Sequence, residues 1–114
     1  MKPAPFEELS GLDRLVHDPS RLAILTALSA CRDADFLFLQ SLTGLTKGNL
    51  SGHLAKLERG KLVAIEKSFR GKVPHTSVRL TPEGRDAIRG HWKRLDQLRR
   101  AAAKWVPQLK PARA

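Results

Sequence analysis

Lys47, Asn49, Ser51, Gly52 and His53 occupy the non-core positions at the start of one amphipathic segment, and they carry chemistry suited to base edges. An ammonium donates to guanine O6 and N7, an asparagine amide pairs bidentately with adenine N6 and N7, and a hydroxyl serves base or phosphate. Gly52 removes a side chain where a helix backbone and DNA approach closely. Gly48 and Gly52 each weaken a helix by roughly 1 kcal/mol relative to Ala, and a purely structural exposed face gains nothing from that loss. The competing interpretation is an ordinary polar helix face, with Asn49 supporting the cap; the two glycines weigh against it. Lys56 and Arg59, further along, suit phosphate contacts, which fix register without reading sequence. Lys67, Arg70 and Lys72 form a second basic group around a turn, placed to enter a minor groove or meet phosphates; the alternative is a solvated hairpin tip.

Other chemistries find little support. For His53 a packing or phosphate-contacting role outweighs metal binding, and His17, His75 and His91 are scattered, with no H-x-x-x-H or C-x-x-C pair. No metal or cofactor is expected. The sequence holds no G-x-S-x-G, P-loop or paired-carboxylate constellation, so no catalytic residues and no enzymatic activity are expected. Cys31, the one cysteine, excludes an intramolecular disulfide and reads as a half-buried helix residue rather than a nucleophile. No apolar stretch approaches a membrane span and KPAPFEEL lacks a signal-peptide core, so a soluble, cytoplasmic chain with no membrane partner is expected.

Charge narrows the partner. With 21 Lys and Arg against 11 Asp and Glu, the net charge of +10 favours a polyanion. The excess is localised: residues 1–40 hold 4 basic and 6 acidic side chains, 41–84 hold 8 and 3, and 85–114 hold 9 and 2. A cationic surface therefore begins where the candidate reading segment begins.

The positioning elements follow from period and caps. One domain of 114 residues has room for a modest core. Residues 1–8 read as a flexible arm whose Phe6 can dock on the body, 9–84 as a DNA-binding core, and 85–114 as a C-terminal helix with a short tail. Leu9, Leu12, Leu15 and Val16 predict a short first helix ending before Pro19. Asp18 and Pro19 open a second, rich in buried leucines. Asp33 or Asp35 caps a third, with Phe36, Leu39 and Leu42 as its stripe, widened by Leu37 and Phe38. Gly44 ends it. Thr46 caps a fourth over 46–59, burying Leu50, Leu54 and Leu57 with Leu45 as a staple. Val63, Ile65 and Phe69 alternate as a strand, Arg70 to Pro74 turn, and Thr76, Val78 and Leu80 return. Thr81 and Pro82 open a long helix to about Trp105.

That last helix strings Ile88, Trp92, Leu95, Leu98, Ala102 and Trp105 at steps of three or four, a seam suited to homodimerisation. The alternative is that it folds back onto the N-terminal helix of its own chain. Its many cations oppose a parallel copy and favour a crossed or antiparallel pairing, or DNA or an acidic partner that shares the charge.

On DPSRLAIL, LTKGNLSGHLAKLE, KSFRGKVPHT and LTPEGR, covering roughly residues 9 to 95, the chain resembles the single-domain winged helix-turn-helix transcriptional regulators grouped as MarR-like and ArsR-like. The resemblance implies a mainly α fold with a small β-hairpin wing and an extended C-terminal helix. It implies a dimer that places helix 46–59 of each chain, entered through Thr46, in successive major grooves with half-sites about 10 base pairs apart. The wing, 67–75, would contact backbone or minor groove. A repressor that occludes a promoter is expected; a runner-up is an interaction module binding an acidic protein or RNA, or a nonspecific architectural protein. Any small-molecule effector, of unknown identity, would bind at the dimer interface or between the last helix and the core. The family usually has Gly just before the two apolar residues opening the first wing strand, where this chain has Lys61 after Gly60. Either the helix end is shifted or Lys61 is left-handed.

Overall fold

The computed structural model describes residues 12–105, the Trp105 side chain excepted, so the arm 1–8, Leu9, Pro107 and Leu109 lie outside the described residues. The expected first helix is, among the described residues, a single turn. Val16 N–H and His17 N–H both donate to the Asp13 carbonyl, at 3.2 and 2.7 Å. The Asp13 carboxylate takes the Leu15 amide at 2.9 Å, and Asp18 is extended ahead of Pro19, so the turn cannot propagate.

Helix α1 spans Pro19–Ser29, capped by Asp18, whose Oδ1 accepts from Arg21 N–H at 2.9 Å. A two-residue strand, β1 (Ala34–Asp35), follows and was not anticipated, because two residues carry no period. Helix α2 (Phe36–Thr43) is capped by Asp35 and stopped by Gly44, left-handed at φ 70°. The predicted stripe on α2 is narrower than expected. Leu39 is buried and Phe36 half-buried, but Leu37, Phe38 and Leu42 are 75, 45 and 54% exposed. The helix touches the core on one side only, and at 100° per residue those three have rotated off that side.

Helix α3 (Lys47–Arg59) starts at Thr46, whose Oγ1 accepts from Asn49 N–H at 3.1 Å. Leu50, Leu54 and Leu57 are buried, and Leu45 packs against the same cluster. Its C-terminus is a Schellman motif: Leu62 N–H donates to Leu57 O at 3.0 Å and Lys61 N–H to Glu58 O at 2.9 Å. Lys61 is the left-handed residue, at φ 64°. A Cβ on Gly60 would run into Leu15 Cδ2, so glycine stands one place early for close packing and lysine takes the strained conformation.

Strands β2 (Val63–Arg70) and β3 (Val73–Leu80) pair antiparallel from Val63↔Leu80 to Arg70↔Val73, and β1 adds to the far side of β3 through Ala34↔Val78. The sheet has three strands rather than the two expected. The turn is tighter than expected, only Gly71 and Lys72, with Gly71 at φ 64°. Pro74 is therefore inside β3, where β1 does not reach and no donor is needed on that side. Phe69, expected to continue the inward alternation, is 72% exposed because the ribbon has left the body by then.

Helix α4 spans Pro82–Trp105. Thr81 Oγ1 accepts from Gly84 N–H at 2.9 Å and donates to Lys61 O at 2.7 Å, joining the α4 start to the α3 end. Gly84 approaches the Leu62 carbonyl so closely that a Cβ has no room. Ile88 joins the core formed by α1, α2, α3 and the sheet. No helix among the described residues is long and apolar enough to cross a membrane.

Candidate nucleic-acid interface

Three leucines fix the roll of α3 and thereby its other faces. Lys47, Ser51 and Glu58, at helical spacing, face the wing and line an open groove of about 870 Å³ together with Lys67 and His75 from the wing and Asp35 from the start of α2. Asn49, Gly52, Lys56 and Arg59 face outward and are exposed. The predicted readers are thus split between two adjoining faces. Asn49 supports the cap with its backbone N–H, which leaves its side-chain amide without a partner among the described residues. At both Gly48 and Gly52 a Cβ would meet nothing within 4 Å.

His53 belongs to neither face. It is half-buried on the flank toward α1, its Nδ1 3.2 Å from Arg21 Nη1. Arg21 was not singled out from the sequence. Its partner in α3 is 32 residues away, beyond any local pattern.

Across the groove the ribbon projects with Lys67, Arg70 and Lys72 all exposed. Helix α3 and the outer wing together present six cations, Lys47, Lys56, Arg59, Lys67, Arg70 and Lys72, against Glu58 and Glu66. Glu58 and Asp35 line the groove beside Lys47 and Lys67, so both signs of charge meet there.

Of the six seam residues, Ile88 is 3% and Leu98 6% exposed within the chain itself. Ile88 is thereby committed to its own core. Trp92 is 46% exposed, Leu95 and Ala102 are half-buried, and the Trp105 side chain lies outside the described residues. The fold-back alternative is partly realised: His91, one turn after Ala87, is 2% exposed and its Nε2 lies 3.2 Å from His17 Nδ1 on the 13–17 turn. Burial, then the neighbouring His17 and Arg94, hold the His91 pKa below the ordinary histidine value, and Asp13 opposes them. Asp18 is held below the ordinary carboxylate range, first by the Arg21 backbone N–H and also by its guanidinium.

A helix, a Gly-containing tight turn, a second helix with its leucines buried and its outer face free, and a basic two-stranded ribbon beside it define a winged helix-turn-helix. Residues 20–99 match the family model of the winged helix DNA-binding domain. An uncharacterised protein of Methanocaldococcus jannaschii, MJ0432, is 35% identical over 79 residues, spanning 68% of this chain and 85% of that protein. The solved structure of a transcriptional regulator homologue from Pyrococcus horikoshii OT3 superposes with a TM-score of 0.78 at 31% identity, covering 84% of this chain and 97% of its own. A MarR-family regulator from Silicibacter pomeroyi shares the fold with a TM-score of 0.60 at 20% identity, over 94% of this chain and 67% of its own. The chain belongs to the winged helix DNA-binding domain family.

Proposed function

We propose that the protein is a sequence-specific transcriptional regulator that binds duplex DNA as a homodimer and represses by occluding a promoter. The observation that carries the DNA-reading part is the outward face of α3. Two glycines stand there with open space where their side chains would be, flanked by Asn49, Lys56 and Arg59. Neither core packing nor backbone conformation asks for glycine at those positions, whereas a helix backbone seated close against DNA gains room from them. In this reading Asn49 and Lys47 read bases, Ser51 serves base or phosphate, and Lys56 and the wing cations hold the backbone. The likeness to the Pyrococcus horikoshii regulator homologue supports the regulatory role. Pairing through Trp92, Leu95 and Ala102 would present two copies of α3, and a DNA partner accords with a cytoplasmic chain.

A second reading, an interaction module for an acidic protein or RNA, draws on Trp92, 46% exposed on a strongly basic helix. Lys47→Ala combined with Asn49→Ala separates the two in a fluorescence-anisotropy titration. Loss confined to particular duplexes supports the regulator; unchanged binding supports the module.

A further inference from the structure

The Arg21 side chain joins separate parts of the fold. It is 12% exposed and divides its donors between the 13–17 turn and α3. Nε–H donates to Leu15 O at 2.6 Å and Nη2–H to Arg14 O at 3.1 Å, which pins the 13–17 turn against α1. Nη1 lies 3.2 Å from His53 Nδ1, and the Asp18 carboxylate, 3.9 Å from Nη2, balances the charge.

A guanidinium has five N–H donors and no acceptor, so Nη1–H donates and His53 Nδ1 receives with its lone pair. A neutral imidazole with an accepting Nδ1 carries its hydrogen on Nε2. His53 is half-buried, on the α3 flank one residue after Gly52, with the outward face beside it. We propose that Arg21 is a positioning residue that locks His53 as an Nε2–H donor toward DNA. His53 then hydrogen-bonds an acceptor on the duplex, a phosphate oxygen or a base-edge acceptor such as a purine N7. The same guanidinium ties the roll of α3 to the turn that packs beside α4. This inference rests on the DNA-binding reading above.

The first experiment is ¹⁵N chemical-shift measurement of the His53 ring at neutral pH in the intact protein, which needs no substitution. An unprotonated Nδ1 and a protonated Nε2 are expected; the opposite tautomer overturns the proposal. The second compares His53→Gln, which keeps a donor near the Nε2 position, with His53→Asn, which places its amide near Nδ1, in titrations of a duplex the wild type binds. His53→Asn should weaken binding about tenfold, the scale of one hydrogen bond, and His53→Gln much less. Loss uniform across sequences assigns the acceptor to phosphate, and loss confined to one base position assigns it to a base edge. Equal, negligible effects overturn the proposal. Arg21→Met, checked by thermal melting for folding, should scramble the tautomer and lose nothing further in combination with His53→Asn. Failure of the wild type to bind any duplex would defeat the DNA reading itself, a result distinct from a wrong tautomer.

Discussion

Gly48 and Gly52 stand on an exposed helix with no atom near the place a Cβ would take, which sets stability against function at single residues. Gly48→Ala and Gly52→Ala should each raise stability by up to about 1 kcal/mol, read from urea denaturation, because alanine is the better helix former. Each should also weaken binding to a specific duplex if the proposed deep seating is correct. Stabilisation with unchanged affinity would leave those glycines without a role. The α3 C-terminus gives an opposite pair. Lys61 is left-handed at φ 64° and exposed, so Lys61→Gly should stabilise by about 0.5–1 kcal/mol after the unfolded-chain entropy is counted. Gly60→Ala should destabilise, since its Cβ forces a methyl of Leu15 away from the core cluster that Leu15 packs against. Equilibrium unfolding of the two variants checks both signs.

At the scale of elements, the wing is a ribbon that leaves the body after Ile65, held by its own ladder and exposed at its tip. Its cations contribute attraction rather than packing. Arg70→Ala with Lys72→Ala should leave the melting temperature nearly unchanged and flatten the dependence of log affinity on log salt by about 0.9 for each phosphate that is no longer neutralised. An unchanged slope would make the tip a solvated hairpin. The packing of α4 on the 13–17 turn brings a pH dependence. His91 is buried, one ring nitrogen faces His17 Nδ1, and the other has no hydrogen-bond partner among the described residues. Its folded pKa is depressed by burial first, with His17 and Arg94 adding and Asp13 opposing. The unfolded chain therefore binds more protons, so the stability present above the ordinary histidine value is lost as pH falls from there toward the folded value. Thermal melts at about pH 7.5 and about pH 5.5 should show a lower melting temperature in acid, and His91→Leu should flatten that difference.

At the scale of the described residues the protein is extended, with a Cα radius of gyration of 18.3 Å where a compact domain of about 100 residues has about 13 Å. An α4 of 24 residues is about 36 Å long and buries Leu98 as well as Ile88 within the chain. That shape, with Trp92 half-exposed, is what a shared helix pair would complete. If the proposed pairing holds, Trp92→Asp with Leu95→Asp should shift sedimentation from dimer to monomer and reduce operator affinity far more than a rim substitution does; sedimentation that does not change would contradict the pairing. The caps at Asp18, Thr46 and Thr81, the α3 leucines and the two-stranded wing were legible because each is a local pattern of period or side-chain-to-backbone bonding. The α2 stripe, the β1 strand and the Arg21–His53 pair were not, because each depends on which element lies opposite. The distribution of charge along the chain located the basic segments, but the split of Lys47 and Ser51 from Asn49 and Gly52 required the roll of α3 that its leucines fix.

Selection of bound duplexes from a random DNA pool at physiological salt, followed by sequencing, tests the central claim most directly. A dimer presenting two α3 helices should enrich a palindrome whose half-sites lie about 10 base pairs apart. Retention of DNA without enrichment of any sequence would contradict a sequence-specific regulator.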